Sequence, residues 1–386
     1  MLDDVEIYGY SRPQQSVRGL RNHLIVVSIT DLTNSIAFEV ASSVERAFVL
    51  VSPFGRVADP VRKRAGLAAQ LQICLNPNVG AVMLVGLDAE TLAYARSELA
   101  DFVDVAIIDV SRGTNASCRD GVSTARELLS VLASRNREPI ELSALCVGIK
   151  SVGSTSASSS LVTPVLGRFV DVIVEAGGRV LFDECADLVR VVAALEQRAS
   201  NSSVRGRIAE VMQRYVELER DMGPGYPNPT AHNRENGVVD LEGKGSAALL
   251  RLGRHVIQSV ISYGERPMEP GLHMVTGAAS PVASALGLVA SGCNVIVCSL
   301  GDSVGLYSFI APVINICPID LHAQTDDGDL YVESSESNAS LLLELLAACT
   351  KGVLTSSERR CSIPAAIWDR GEPAQSYGFA DHANRV

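Results

Sequence analysis

Val79-Gly80-Ala81-Val82-Met83-Leu84-Val85-Gly86-Leu87 runs without a polar side chain into Asp88-Ala89-Glu90-Thr91. An apolar run that is continuous rather than alternating predicts a strand buried on both faces. Asp88 is then an N-cap with Glu90 in the first turn, and a helix over 88–99 follows. The pattern repeats on either side. Apolar runs at 24–29, 47–51, 103–110 and 145–149 alternate with helix-like stretches at 35–45, 60–73 and 121–134. This alternation predicts a parallel α/β sheet. The turn-rich segment 111–115 reads as a loop, and Asp120-Gly121 as the start of the next helix.

A polar break near 135–142 divides the chain into expected domains at 1–138 and 139–386. In the second region, strands are expected at 179–182, 272–276, 294–299 and 313–316. Helices are expected at 164–173, 186–198, 204–220, 246–263, 281–291 and 338–349. The fold class is therefore α/β, two α/β domains with mainly parallel sheets. The segment 223–245 reads as a long irregular loop, of functional or mobile character. The polar tail after 361 reads as loosely attached. Residues 151–160 hold six serines. They read either as a flexible linker or as an anion-binding turn between a strand and a helix.

Composition excludes several classes. A net charge of −11 argues against nucleic acid, which needs a basic footprint, and against anionic membrane surfaces. No stretch reaches ~18 uninterrupted apolar residues, so no membrane span is expected. The acidic start, Met1 to Glu6, is unlike a signal or transit peptide. Nine cysteines without a CxxC pair read as reduced thiols of a cytoplasmic protein, with no structural zinc. The glycines form neither GxGxxG nor GxxxxGK[ST], so no dinucleotide or P-loop site is expected. Gly301-Asp302-Ser303 lacks the flanking pattern of a nucleophile elbow.

Polar clusters beside buried strands carry the chemistry. Arg12 and Arg21 could clamp a carboxylate in bidentate fashion; the alternative is a solvated N-terminal arm. Asp183, Glu184 and Asp187 crowd a strand-to-helix junction, where like charges raise at least one pKa and suit acid–base work. Alternatively they cap the helix and favour its positive end. Lys244 stands in a Gly-flanked stretch, near His232 and Asn233, in a chain with only four lysines. A lysine can act as a base or as the partner of a developing oxyanion.

These clusters, in this order, resemble the altronate/galactarate dehydratase family. Gly9-Tyr10-Ser11-Arg12-Pro13 with Arg21-Asn22 resembles GYxRPDGxxGVRN. Pro77-Asn78-Val79 and Gly86-Leu87-Asp88-Ala89-Glu90 resemble HPNV…GLGCE. Ser151-Val152-Gly153-Ser154-Thr155 resembles CGGSD, and Gly177-Gly178…Glu184…Asp187 resembles GG…ExxE. Asn233…Asn236-Gly237…Lys244 resembles GNxxGGLTTxEEKSLG, and Cys298-Ser299-Leu300-Gly301 resembles FTTG. The resemblance implies a lyase that eliminates water from a sugar acid. It also makes Asn22, Ser154 and Asn233 substrate-binding candidates beside Arg12 and Arg21. In extent the chain resembles the sulfolactate sulfo-lyase large subunit, which implies a small partner subunit. A homo-oligomer is expected.

The departures fall on the family's soft ligands. Ser151 stands at the cysteine of CGGSD, Ala89 at that of GLGCE, and Asn76 at the histidine of HPNV. Ser52 to Arg56 lacks the histidine and cysteine of HGxGC, and Asp302 replaces an arginine. Thr155 and Thr163 replace an aspartate and an asparagine. The expectation is therefore no metal and no cofactor. A repurposed, metal-independent elimination or isomerisation of a small anionic substrate follows. Lys244 or His232 would be the base, Glu184 the acid, and Arg12 and Arg21 the anion clamp. The alternatives are a non-catalytic scaffold relative and a sulfo-lyase-type large subunit.

Overall fold

The computed structural model describes residues 5–52, 60–222, 240–276, 281–301, 304–334, 338–360 and 365–366. Two parallel sheets organise them. β1 (Ile7–Gly9) pairs antiparallel with β6 (Glu138–Ile140) as a separate ribbon. The smaller sheet contains β2 (His23–Ser28), β3 (Ala47–Val51), β4 (Val79–Gly86), β5 (Asp104–Asp109) and β14 (Ala365–Ala366). Its order is β14-β3-β2-β4-β5.

The continuous apolar runs explain the layering. Leu24, Val26, Ala81 and Met83 pack with helices Asn34–Ser42 and Thr114–Ala133. The alternate residues Ile25, Val27, Val82 and Leu84 pack on the opposite face with helices Pro60–Cys74 and Ala89–Leu99. That second cluster continues into Cys146, Leu181, Ile296 and Cys298 of the larger sheet. One apolar layer therefore joins the two α/β units.

The larger sheet contains β7 (Cys146–Val152), β8 (Arg179–Phe182), β9 (Ile257–Ile261), β10 (Gly271–Val275), β11 (Val295–Leu300), β12 (Val313–Pro318) and β13 (Leu330–Val332). Its order, β13-β12-β11-β7-β8-β10-β9, is parallel throughout. β8 leaves β7 on one side and β11 flanks it on the other. The strand order thus reverses at β7, and a crevice between diverging connections forms at such a point. The far face is covered by helices Thr163–Glu175, Ser202–Met222, Leu241–Arg251 and Asn338–Thr350. Phe169, 1% exposed, anchors the first of them. Its removal would cost about 3–5 kcal/mol in transfer and cavity terms.

Several expected elements move. The helix expected at 121–134 begins at Thr114, so the segment 111–115 is a 3-10 turn leading straight into it. The helix expected at 246–263 is instead Leu241–Arg251 followed by β9. Gly253, at φ +62°, stops the helix, and the β-branched run beyond it joins the sheet edge. Lys244 accordingly lies on a helix and not in a loop. The serine run is not a linker: β7 extends to Val152, and a π turn, Ser158–Val162, feeds the next helix. β1, β6, β9, β13 and β14 are too short or too polar to announce themselves in the sequence. Residues 223–239, which include His232 and Asn233, lie outside the described residues, as does Asp302.

Candidate functional site

The site begins with strand register. Ile149 of β7 pairs with Phe182 of β8, so the next residues, Lys150 and Asp183, stand side by side at the carboxyl ends. Lys150 Nζ donates to Asp183 Oδ1 at 2.9 Å, and Ser284 Oγ donates to Asp183 Oδ2. Glu184 follows, and Arg251 donates to its Oε2 from Nε at 3.1 Å and from an η nitrogen at 2.6 Å. Asp187 sits on the short helix Cys185–Leu188 and meets Lys244 Nζ at 2.8 Å.

Helix Leu241–Arg251 supplies two of these three cations. Asp240 caps it, accepting from the Glu242 and Gly243 amides at 2.9 and 3.0 Å. Lys244 and Arg251 are seven residues apart, two helical turns on one face, and both reach the β8 junction. Three carboxylates and three cations thus alternate at one crowded spot. The repulsion expected among Asp183, Glu184 and Asp187 is relieved because each carboxylate has its own cation.

Burial makes these pairs consequential. The side chains of Glu184 and Arg251 are each 3% exposed. Desolvation by itself would lower the Lys150 ammonium. The carboxylates of Asp183, Glu184 and Asp187 outweigh it, and the net direction is upward. Lys150 therefore remains an ammonium. Glu184 Oε1 is buried without a hydrogen-bond partner among the described residues, although Oε2 accepts two bonds. A buried carboxylate oxygen left unsatisfied is costly unless something else occupies its lone pairs. Behind the cluster, Tyr263 donates to the Ala283 carbonyl at 2.6 Å. Burial and the nearby Asp183 push its hydroxyl upward.

The remaining predicted residues lie elsewhere. Arg12 is buried and donates to the Pro77 carbonyl at 2.8 Å, the Arg21 carbonyl at 3.1 Å and Asn22 Oδ1 at 2.9 Å. Burial lowers its guanidinium to about 10. Arg21 grips Glu358 with Nε and an η nitrogen at 2.5 and 2.7 Å, and also bonds the Cys349 and Val353 carbonyls. Asn22 donates to the Leu132 carbonyl. These three are brought to the joint between the α/β units and not to the 183–187 junction. Ser154 is buried in the turn after β7. Next to it, Thr155 and Ser158 exchange amide-to-hydroxyl bonds at 2.9 Å. The amide of Gly301, past β11, donates to the Val152 carbonyl.

The Pro77-Asn78 motif belongs to the same joint. Asn78 Oδ1 accepts from the Leu20 and Arg21 amides at 2.7 and 3.1 Å, and its amide nitrogen donates to the Asn294 carbonyl. Asn76 donates to the Val289 and Cys293 carbonyls, both at 2.8 Å. A β-carbon on Gly19 would fall 2.1 Å from the Pro77 carbonyl oxygen, so only glycine allows this approach.

Sequence reasoning missed Lys150, Arg251 and Ser284 as members of the site. Lys150 gave one signal, a charge closing an apolar strand. Arg251 gave none: the sequence places it on a helix at 246–263, and nothing in its spacing points that helix face at Glu184. Among the described residues, no three His, Cys, Asp or Glu side chains converge as a metal would require. The carboxylates present already face cations, so this donor set does not fit a metal ion. The eight described cysteines are buried and form no disulfide with one another. Burial pushes the Cys74 and Cys317 thiols up to about 12, which makes them poor thiolate ligands. No helix among the described residues is long and apolar enough to cross a membrane.

Two family models match the chain. Residues 142–371 match D-galactarate/Altronate dehydratase, C-terminal, and residues 9–133 match D-galactarate dehydratase/Altronate hydrolase, second domain. The chain is 27% identical over 348 residues to an altronate dehydratase of Bacillus subtilis, covering 81% of this chain and 69% of that protein. An altronate dehydratase of Escherichia coli is 25% identical, covering 80% and 65%. The (2R)-sulfolactate sulfo-lyase subunit beta of Chromohalobacter salexigens is 25% identical, covering 91% and 94%. The chain thus spans about two thirds of the altronate dehydratases and nearly all of the sulfo-lyase subunit.

Proposed function

The chain belongs to the D-galactarate/altronate dehydratase family, and from that premise we propose that it is a lyase for a small hydroxy acid. The observation that carries the reading is the triple cation–carboxylate array with one oxygen, Glu184 Oε1, that has no partner among the described residues. In this reading Glu184 Oε1 takes the proton from the carbon next to the substrate carboxylate. The electron pair of that C–H bond moves toward the carboxylate and then forms the C=C bond as the β-hydroxyl leaves. The proton returns from Glu184 to the departing hydroxyl, and water is released. The enol product then tautomerises to a 2-oxo acid.

Such a step accumulates charge on the carboxylate, and preorganised cations in a buried site are its natural support. Lys150 and Lys244 are assigned that task. Each is already an ion-pair donor, so Lys244 serves as a charge stabiliser in place of the base read from the sequence. The reaction is proposed to be metal-independent, on the ground that the carboxylates here are each matched by a protein cation. Asn233 and Ser154 remain proposed contacts to the substrate, and His232, read from the sequence as an alternative base, gives that role to Glu184 in this reading.

The sulfo-lyase reading comes second. It is favoured by the 94% coverage of the sulfo-lyase subunit beta, and it would add a small partner subunit and sulfite as leaving group. One experiment separates the readings. The purified chain is assayed with altronate, galactarate and (2R)-sulfolactate for 2-oxo acid and for sulfite, in wild type and Glu184→Gln. Turnover of a sugar acid abolished by Glu184→Gln supports the dehydratase. Sulfite release, with or without a co-purified small subunit, supports the second reading. Activity unchanged in Glu184→Gln defeats the assignment of Glu184, and no binding or turnover of any of the three favours a scaffold relative.

A further inference from the structure

A cavity of about 1010 Å³ opens beside the amino ends of β2 and β3 of the smaller sheet. Its walls come from both α/β units. Five arginines line it, Arg21, Arg46, Arg126, Arg135 and Arg137, against two acids, Glu45 and Glu358. Arg21 is answered by Glu358, and Arg135 by Asp104, both at 2.5 Å. Arg46, Arg126 and Arg137 have no carboxylate partner among the described residues. Arg137 lies with its guanidinium carbon 5.0 Å from the centre of the Tyr10 ring. Its Nε is buried and without a hydrogen-bond partner among the described residues.

The rest of the lining mixes apolar side chains, among them Phe48, Phe309 and Ile310, with polar Asn22, Ser43 and Ser308. Phe48 and Phe309 lie 6.2 Å apart, and His23 meets Phe48 edge-on at 4.7 Å. Burial lowers the His23 imidazole to about 3, so it is neutral and adds no charge. The cavity therefore has an excess of positive charge on a chain whose net charge is −11. A concave, low-dielectric wall of one sign concentrates ions of the other. Guanidinium forks match phosphate, sulfonate and carboxylate oxygens, and aromatic walls favour a flat body.

We propose that this cavity is a second ligand site, for a small anionic group carried on a flat apolar body. A sugar acid lacks such a body, so the site is distinct from the array at β7 and β8. Arg46 and Arg126 are the arms that would close on the anion, and Phe48 and Phe309 would hold the ring.

The test uses the full chain and two fluorescent probes, 8-anilinonaphthalene-1-sulfonate and its uncharged analogue N-phenyl-1-naphthylamine. Arg46 and Arg126 are exposed, so Arg46→Ala/Arg126→Ala leaves the core intact. The expected result is one saturable sulfonate site, weakened about tenfold or more in the double variant and by added salt. The uncharged probe should bind wild type and variant alike, and more weakly than the sulfonate binds wild type. Phe309→Ala should weaken the sulfonate probe as well. Equal sulfonate affinity in wild type and the arginine variant, or failure of Phe309→Ala to alter it, would overturn the proposal.

Discussion

Two polar regions of this molecule use the same residue types to opposite ends. At the joint between the α/β units, Arg12, Arg21, Asn22, Asn76, Asn78 and Asn294 direct their polar atoms at backbone groups, at each other or at Glu358. At the carboxyl ends of β7 and β8, the charges are also paired, yet Glu184 keeps one oxygen without a partner among the described residues. A saturated network holds an architecture, because any ligand would have to displace bonds already made. A network with one open valence can accept a proton or a ligand atom. Motif position does not separate the two; the hydrogen-bond inventory does.

Breaking the open network should give the largest effect. Glu184→Gln keeps the shape and removes the proton carrier, and turnover should fall about 10³-fold, as for loss of a general acid–base group. Steady-state kinetics on whichever of altronate, galactarate and (2R)-sulfolactate is turned over would measure it. Glu358→Ala attacks the saturated side. It leaves Arg21, 5% exposed, without its carboxylate. A loss of about 3 kcal/mol in urea unfolding is expected, with KM unchanged. Asn294→Ala removes the acceptor of the Cys146 amide at 3.1 Å and the donor to the Arg18 carbonyl at 2.7 Å. It should cost about 1–3 kcal/mol for the groups left unsatisfied, again without altering turnover. If either joint variant changed turnover at constant fold, the division between the regions would fail.

The smallest expected effect is in acid. Desolvation would raise the Glu358 carboxyl, but the hydrogen bonds and charge of Arg21 outweigh it, and its pKa is lowered on folding. The unfolded chain then binds the proton more readily. The stability from this group is fully present above the unfolded value, about 4.3. It is lost as pH falls through the lower folded value. Urea midpoints of wild type and Glu358→Gln, followed from pH 6 downward, should converge in that range. A gap that widened on acidification would reverse the sign of the shift.

The strands at 47–51 and 179–182 were legible to the residue, because continuous apolar runs bounded by polar residues admit little else. Glu184 and Lys244 were legible as charges beside buried strands. Their partners were not. Lys150 joins Asp183 only through the β7–β8 register, and Arg251 joins Glu184 only because 241–251 is a helix. Arg12 and Arg21 looked like a clamp for the same reason that they make good struts. A planar fork of donors serves a substrate carboxylate and a backbone carbonyl equally well.

Local pattern alone settled the α/β class, the parallel sheets and which strand ends bear charge, since burial on both faces is written in unbroken apolar runs. Which cation meets which carboxylate, and which carboxylate oxygen is left without one, was decided only by tertiary structure. Those pairings span tens of residues of sequence, and only strand register and helix phase bring them within bonding distance.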